Sequence, residues 1–186
     1  VLVGIDAWKD AITTFNYNHK NSKGICADLS TLNPEEIEKE LNGKTVDLII
    51  GGPPCQGFSV AGKRIVDNEH NKLYKNFVRF VEYYKPKAFM MENVPNILSI
   101  GKGIVKDSIV KDFSDLGYKV VYKVLTASNY GTPQNRRRAV FVGFKDGKEF
   151  IFPQQTVEQL VTSYEALSDL PENSLEDGSD YPMPTN

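Results

Sequence analysis

The sequence predicts an α/β protein with a doubly wound, mostly parallel sheet, and three observations carry that expectation. Short apolar runs of strand length alternate along the chain with segments whose apolar residues return at helical spacing. Several runs end on an acid or on glycine and proline, at Asp6, Asp28, Gly51-Gly52-Pro53-Pro54 and Glu92. Such endings put polar and reactive groups at the carboxyl edge of a sheet, where open α/β folds hold their ligands. With 186 residues and 40% hydrophobic content, the chain can bury one domain-sized core.

Val1-Leu2-Val3-Gly4-Ile5-Asp6 reads as a strand ending in a carboxylate, and Trp8, Ala11, Ile12 and Phe15 then share a helical face. An acid at such a tip accepts hydrogen bonds from ribose hydroxyls or caps the helix that follows; the residues alone leave both open. Ile25-Cys26-Ala27-Asp28 is a second short strand with an acid at its end. Asn33-Pro34-Glu35-Glu36 opens a helix, with a capping residue, proline in the first position and Glu three after the cap, and places Ile37 and Leu41 on one face. Leu48, Ile49 and Ile50 read as a buried strand, stopped by two glycines and two prolines that cannot continue a ladder.

Residues 59–72 are polar and basic without a period, which predicts a loop over the sheet edge. Leu73, Phe77, Phe80, Val81 and Tyr84 form a helical stripe of core type. Lys87-Ala88-Phe89-Met90-Met91 is the next strand and delivers Glu92-Asn93-Val94-Pro95 to its carboxyl end. Ile109, Phe113 and Leu116 make another helical face, closed by Gly117. Residues 120–125 and 139–144 are further strands, separated by Asn129-Tyr130-Gly131-Thr132-Pro133-Gln134-Asn135-Arg136-Arg137-Arg138. Val157, Leu160, Val161 and Tyr164 suggest one more amphipathic helix, after which 171–186 loses periodicity and reads as a linker.

The longest apolar runs fall far short of the roughly 20 residues of a spanning helix, so no membrane partner is expected and the cytoplasm is the default compartment. Two cysteines, Cys26 and Cys55, supply neither a disulfide framework nor metal-ligand spacing, and no metal is expected. The net charge of −2 is unevenly spread: all 22 Lys and Arg lie at or before Lys148, whereas 8 of the 24 acids follow it, so the first 148 residues carry +6. A basic body with Lys63, Arg64, Lys72, Lys75 and Arg79 just beyond Cys55 is compatible with a polyanion, and equally with a solvated face. The composition shift predicts a catalytic region at 1–148 and an acidic segment at 149–186 leading out of it.

Cys55 directly follows two prolines at a strand end, a poor place for a structural cysteine, although a half-buried small hydrophobe would also fit. Glu92 would serve as an acid or as one half of an ion pair at a sheet edge, and the arginine run as a clamp or a solvated turn. A thiol, an acid and fixed cations together suit conjugate addition to an electron-poor ring. Carbon 5 of cytosine is a poor nucleophile until a thiolate adds at carbon 6 and makes it enamine-like. A buried carboxylic acid that protonates or hydrogen-bonds the ring nitrogen lowers the barrier to that addition, and an arginine can hold the ring carbonyl.

Gly-Pro-Pro-Cys-Gln-Gly-Phe-Ser-Val-Ala-Gly-Lys at 52–63, Met-Glu-Asn-Val at 91–94 and Asn-Tyr-Gly-Thr-Pro-Gln-Asn-Arg-Arg-Arg at 129–138 together resemble the cytosine-C5 DNA methyltransferase family. The three motifs stand in the family's order and spacing. The resemblance implies a Rossmann-like S-adenosylmethionine-dependent fold, methyl transfer to carbon 5 of cytosine in DNA, and a role in restriction-modification or regulation. Cys55 matches the nucleophile, with Pro54 and Gln56 shaping its loop and Ser59 touching phosphate. Glu92 matches the acid on the flipped cytosine, Asn93 with Val94 the brace of the cysteine loop, and Arg138 with Arg136, beside Gln134, the pair that holds the base. Asp6 matches the ribose acid, Asp28 with Leu29 the adenine-binding strand end, and Pro53 with Leu73 further wall of the S-adenosyl-L-methionine pocket. Trp8 matches less well, since the family's stacking residue directly follows the acid, and Ala7 stands there. The target carbon is hidden in a stacked duplex, so the resemblance also implies base flipping, with 59–72 as the closing element.

The family's opening strand with its Gly-rich turn, and its target-recognition domain, are not matched in this sequence. The expected sheet therefore lacks its first central strand, between those ending at Asp6 and Ile50, and leaves backbone groups unpaired there. The corresponding expectation is that these 186 residues alone bind the cofactor poorly and are inactive, being part of a longer protein or completed by a complementary chain. A tRNA cytosine-C5 methyltransferase, similar in all these motifs, and a non-catalytic nucleic-acid-binding relative are the alternatives.

Overall fold

The computed structural model describes residues 1–54 and 72–169. Cys55, Gln56, Ser59, the expected loop up to residue 71, and the tail at 171–186 lie outside the described residues.

The first two apolar runs form β1 (Val3–Asp6) and β2 (Lys23–Cys26), which lie parallel with Asp6 opposite Cys26. Parallel pairing demands a crossover, supplied by α1 (Lys9–Asn18). A second sheet has the order β3-β4-β6-β5, with β3 (Leu48–Gly51), β4 (Ala88–Asn93), β5 (Lys119–Thr126) and β6 (Arg137–Phe144). In it β3 runs parallel to β4, through the crossover helix α3 (Lys72–Tyr84), and β4 runs antiparallel to β6. The predicted α/β architecture is therefore observed, as a parallel pair and a mixed four-stranded sheet. Among the described residues no ladder joins β1 to β3, which is where the missing central strand was expected.

The core sits on β4. Phe89 and Met91 from β4, Ala139 and Phe141 from β6, Val81 from α3, and Ile109 and Phe113 from α4 (Ile104–Asp115) are all fully buried. Burial of each of the larger side chains is worth about 1.5–3 kcal/mol. The Phe89 and Phe113 rings stack at 3.9 Å. Packing is close enough that a Cβ at Gly143 would stand 2.1 Å from the Phe89 ring, so only glycine fits opposite that ring. A second cluster of Ile37, Leu41 and Phe80 gathers Val3, Ile5 and Ile25 from the first sheet and Ile49 from β3, so one layer of side chains covers both sheets.

Three local expectations change. Leu48 and Ile50 are 50% and 60% exposed, not buried. Strand alternation turns them to the face opposite Ile49, and nothing described covers it. The helix start at Asn33 is real, with Glu36 Oε1 accepting the Asn33 N–H at 3.0 Å, but it opens as a 3₁₀ turn over Pro34–Ile37. It then continues for only one turn, α2 (Glu38–Leu41), before Asn42 turns left-handed at φ 50°. The amphipathic helix expected through Val157, Leu160, Val161 and Tyr164 does not form; only the single turn α5 (Ser163–Ala166) does. Leu160 and Tyr164 are 56% and 85% exposed, so no buried face repays the cost of nucleating a helix. What does form is capped: Thr162 Oγ1 accepts the Glu165 N–H at 3.1 Å, and Glu165 Oε2 accepts the Thr162 N–H at 2.7 Å.

The chain falls into two compact units, Val1–Leu125 with Arg137–Phe152, and Thr126–Arg136 with Pro153–Asn186. The first holds the sheets and α1 to α4. In the second, the 3₁₀ turn Ala127–Tyr130 is tied to the chain after Pro153 by Thr156 N–H donating to Asn129 O at 3.1 Å and Tyr130 O–H donating to Pro153 O at 3.1 Å. No helix among the described residues is long and apolar enough to cross a membrane.

Candidate active site

The antiparallel register of β4 and β6 builds the first part of the site. Glu92 lies opposite Val140 and Asn93 opposite Ala139, so Arg138, two residues before Val140, shares the face of Glu92 as its diagonal neighbour. The ion pair follows from that register, with Arg138 Nε 2.5 Å from Glu92 Oε1. Arg138 Nη1 also donates to Arg137 O at 2.8 Å, which fixes the guanidinium plane. The Glu92 side chain is 41% exposed and that of Arg138 24%, so the carboxylate faces an opening instead of the buried setting expected for it. Strand alternation accounts for this: Met90 and Glu92 are half-buried on one face of β4, whereas Phe89, Met91 and Asn93 on the other are buried.

Asn93 has the opposite character. It is 5% exposed, its Nδ2 donates to Pro53 O at 2.8 Å, and its Oδ1 accepts the Val94 N–H at 2.9 Å. The glycine before Pro53 passes close to the acid, since a Cβ at Gly52 would stand 3.4 Å from Glu92 Oε2. The segment leaving β3 is thus fastened to the end of β4 immediately before Cys55, itself outside the described residues. Pro53 is half-buried, and Pro54 and Val94 are exposed.

On the first sheet, Asp6 is exposed and its Oδ1 accepts the Trp8 N–H at 2.7 Å, in front of α1. The carboxylate therefore closes the turn into the helix with one oxygen, but the N-cap of α1 is Trp8 and not Asp6. Asp28 is likewise exposed, and its Oδ1 accepts the Ser30 N–H at 2.8 Å. That backbone hydrogen bond, then one from the Ser30 side chain, holds the Asp28 carboxyl below the usual carboxylate range. Leu29 and Leu73 are half-buried. Trp8 is 68% exposed at the N-cap of α1. Two exposed carboxylates at or just beyond parallel strand ends are acceptors that fit ribose hydroxyls and an adenine amine.

In the second unit, Gln134 and Arg136 are exposed, with the Arg136 N–H donating to Gln134 O at 2.8 Å and Arg136 O accepting the Ala127 N–H at 2.8 Å. Of the three motifs read from the sequence, the structure brings together 52–54, Glu92 with Asn93, and Arg138.

Two members of the expected basic patch are paired within the chain, Lys75 exposed and Arg79 half-buried. Lys75 Nζ is 2.6 Å from Asp112 Oδ2, and Arg79 Nη2 donates to Leu29 O at 2.6 Å and to Leu32 O at 2.8 Å. Arg79 was legible only as a charge in the sequence, because its partners lie about fifty residues away.

Known proteins resemble the chain along most of its length. The model of the C-5 cytosine-specific DNA methylase family matches residues 1–183. The chain is 41% identical over 190 residues to the Type II methyltransferase M.DdeI of Desulfomicrobium norvegicum, covering 96% of this chain and 45% of that protein. It is 41% identical over 182 residues to the Type II methyltransferase M1.HphI of Haemophilus parahaemolyticus, covering 94% and 49%. Among solved structures, a protein described as a prophage-encoded DNA modification methyltransferase of E. coli superimposes with a TM-score of 0.78 at 31% identity, over 93% of this chain and 49% of that one. The S. pombe Dnmt2 methyltransferase shares the fold, with a TM-score of 0.62 at 18% identity over 81% of this chain and 43% of that one. The chain spans about half the length of the curated relatives it matches. Because the family model runs through both strand-end motifs and the paired Glu92 and Arg138, the chain belongs to the C-5 cytosine-specific DNA methylase family.

Proposed function

We propose that this chain carries the catalytic centre of a DNA cytosine-C5 methyltransferase that works by covalent cysteine catalysis on a flipped base. The observation that carries the reading is the fastening of 52–54 to the end of β4, through Asn93 and beside the Glu92 and Arg138 pair. That arrangement brings the chain as far as Pro54 to the end of β4 that carries the carboxylate. The Cys55 thiolate adds to carbon 6 of cytosine, and the displaced electron pair makes carbon 5 nucleophilic. Glu92, oriented by Arg138, hydrogen-bonds or protonates the ring nitrogen as charge develops there. S-adenosylmethionine supplies the electrophilic methyl group. Loss of the carbon-5 proton then expels the cysteine and restores the ring. Asp6, Asp28 and Leu29, with Pro53 and Leu73, are the residues assigned to the cofactor. Cys55, Gln56 and Ser59 are assigned to the base and its flanking phosphate, with Gln134 and Arg136 assigned to hold the base and support the closed loop.

The reading includes completion of the sheet. β1 and β3 each pair on one side only among the described residues, and Leu48 and Ile50 stand exposed beside the gap. A strand from outside residues 1–186, on the same polypeptide or on a complementary chain, would pair those edges and seat the cofactor. We expect these residues alone to bind S-adenosylmethionine weakly, and micromolar binding by calorimetry contradicts that. Residues 149–186 would lead towards a target-recognition region. The relatives at 41% identity are named Type II methyltransferases, which favours duplex DNA over tRNA, restriction-modification as the setting and the cytoplasm as the place of action.

The decisive experiment is Cys55→Ser in the complete enzyme, assayed on a cytosine-containing duplex and on tRNA in parallel. Methyl transfer is expected to vanish on the duplex while cofactor binding persists. Retained transfer sinks the covalent mechanism, and transfer to tRNA alone sinks the DNA reading.

A further inference from the structure

We propose that Arg79 is a positioning residue for the cofactor, acting through the turn at residues 28–32. The inference rests on the reading that Asp28 and Leu29 contact S-adenosylmethionine. Within that turn Thr31 N–H, Leu32 N–H and the Thr31 hydroxyl donate to Asp28 O at 3.1, 2.9 and 3.2 Å, and Ser30 N–H donates to Asp28 Oδ1 at 2.8 Å. It follows a four-residue strand that sits at the edge of a two-stranded sheet. Arg79, from the middle of α3, reaches across and uses one nitrogen, Nη2, to donate to two carbonyls of the turn, Leu29 O at 2.6 Å and Leu32 O at 2.8 Å.

A cation hydrogen-bonded to two backbone carbonyls fixes the turn more firmly than neutral contacts do. Two further side chains of α3 fasten the segment after the turn. Tyr84 O–H donates to Pro34 O at 2.6 Å, and Tyr83 O–H donates to Glu38 Oε1 at 2.5 Å. Phe80, about one turn before them on the helix, is 6% exposed against Ile37 and Leu41. Phe80, Tyr83 and Tyr84 hold residues 34–41, and Leu29 and Leu32 pack against the cluster of Ile37, Leu41 and Phe80, whereas Arg79 is the α3 side chain that hydrogen-bonds the backbone of the turn presenting Asp28 and Leu29. Its effect is therefore on the shape of that turn. Arg79 would raise cofactor affinity without touching cofactor or base, by tying the cofactor turn to α3.

The test uses the complete enzyme with Arg79→Met, Arg79→Lys and Asp28→Ala, measuring kcat, the KM for S-adenosylmethionine, and amide hydrogen exchange over residues 28–32. Arg79→Met is expected to raise that KM roughly tenfold, the size of losing charge-assisted hydrogen bonds, with kcat within about twofold of the parent and faster exchange confined to the turn. Arg79→Lys, which keeps a cation near the carbonyls, should recover part of the KM. If Asp28→Ala raises the KM while Arg79→Met leaves it unchanged, the positioning role is wrong and the cofactor reading stands. If Asp28→Ala leaves the KM unchanged, both are overturned. A fall in kcat matching the rise in KM, with exchange faster throughout α3, marks general destabilisation and also overturns the proposal.

Discussion

The two edges of this molecule that carry site residues are built by different means. At the end of β4 the functional side chains are placed by long-range register: antiparallel pairing with β6 sets Arg138 diagonal to Glu92, and buried Asn93 fastens the chain leaving β3. The strand beneath them is packed on one face by Phe89 and Met91, each 0% exposed. At the ends of β1 and β2 the acids are placed by their own turns, through the Trp8 and Ser30 amides, on a two-stranded sheet without a fully buried residue in either strand. One edge is rigid because the core is beneath it. The other depends on short-range bonds and on Arg79, and this locates where the enzyme can be weakened without loss of its fold.

The comparison can be broken most sharply at Glu92. Glu92→Gln in the complete enzyme should lower methyl transfer by about 10²- to 10⁴-fold, the usual worth of a general acid. Its cost in stability should stay below about 1 kcal/mol, because the carboxylate is 41% exposed and its pair with Arg138 is screened. A large drop in melting temperature with little loss of transfer would reverse the assignment of Glu92 from chemistry to structure.

Asn93→Ala should behave as the inverse case. It removes the donor to Pro53 O from a site 5% exposed, so a loss of about 1–3 kcal/mol in denaturant unfolding is expected, together with reduced transfer as the segment before Cys55 loosens. Unchanged stability would show that the cysteine segment is held by something other than β4.

The smallest effect concerns the support beneath the rigid edge. Tyr118 is 3% exposed and donates to Pro86 O at 2.7 Å, and burial pushes its phenol up to about 12 from an ordinary 10.0. A folded value above the unfolded one stabilises the protein fully below about pH 10 and is lost as pH rises towards 12. Tyr118→Phe should therefore cost about 1 kcal/mol at neutral pH and flatten the alkaline unfolding limb. Some slope will remain, because burial and the nearby Asp112 also hold Tyr74 above its ordinary value. An alkaline limb identical to that of the parent would remove Tyr118 from the account.

Much of this was legible in the residues themselves. The helical stripe of Phe77, Phe80 and Val81, the Gly117 stop at φ 87° and the strand at 139–144 are local patterns, and local sterics and periodicity enforce them wherever a core is available. The exposed Leu48 and Ile50 and the absent helix near Val157 were misread for a single reason. An apolar residue states that it can be buried, but whether a partner layer exists is a property of the assembled fold.

By itself, then, the sequence determined which chemistry is available, a cysteine, an acid and arginines at strand ends, because residue type fixes reactivity and the motifs fix their order. Only the tertiary structure decided that Glu92 meets Arg138, that Asn93 holds Pro53, and that Arg79 turns inward to the 28–32 turn instead of out to a polyanion. Those pairings depend on strand register and helix placement, and both are set by packing between residues far apart in the chain.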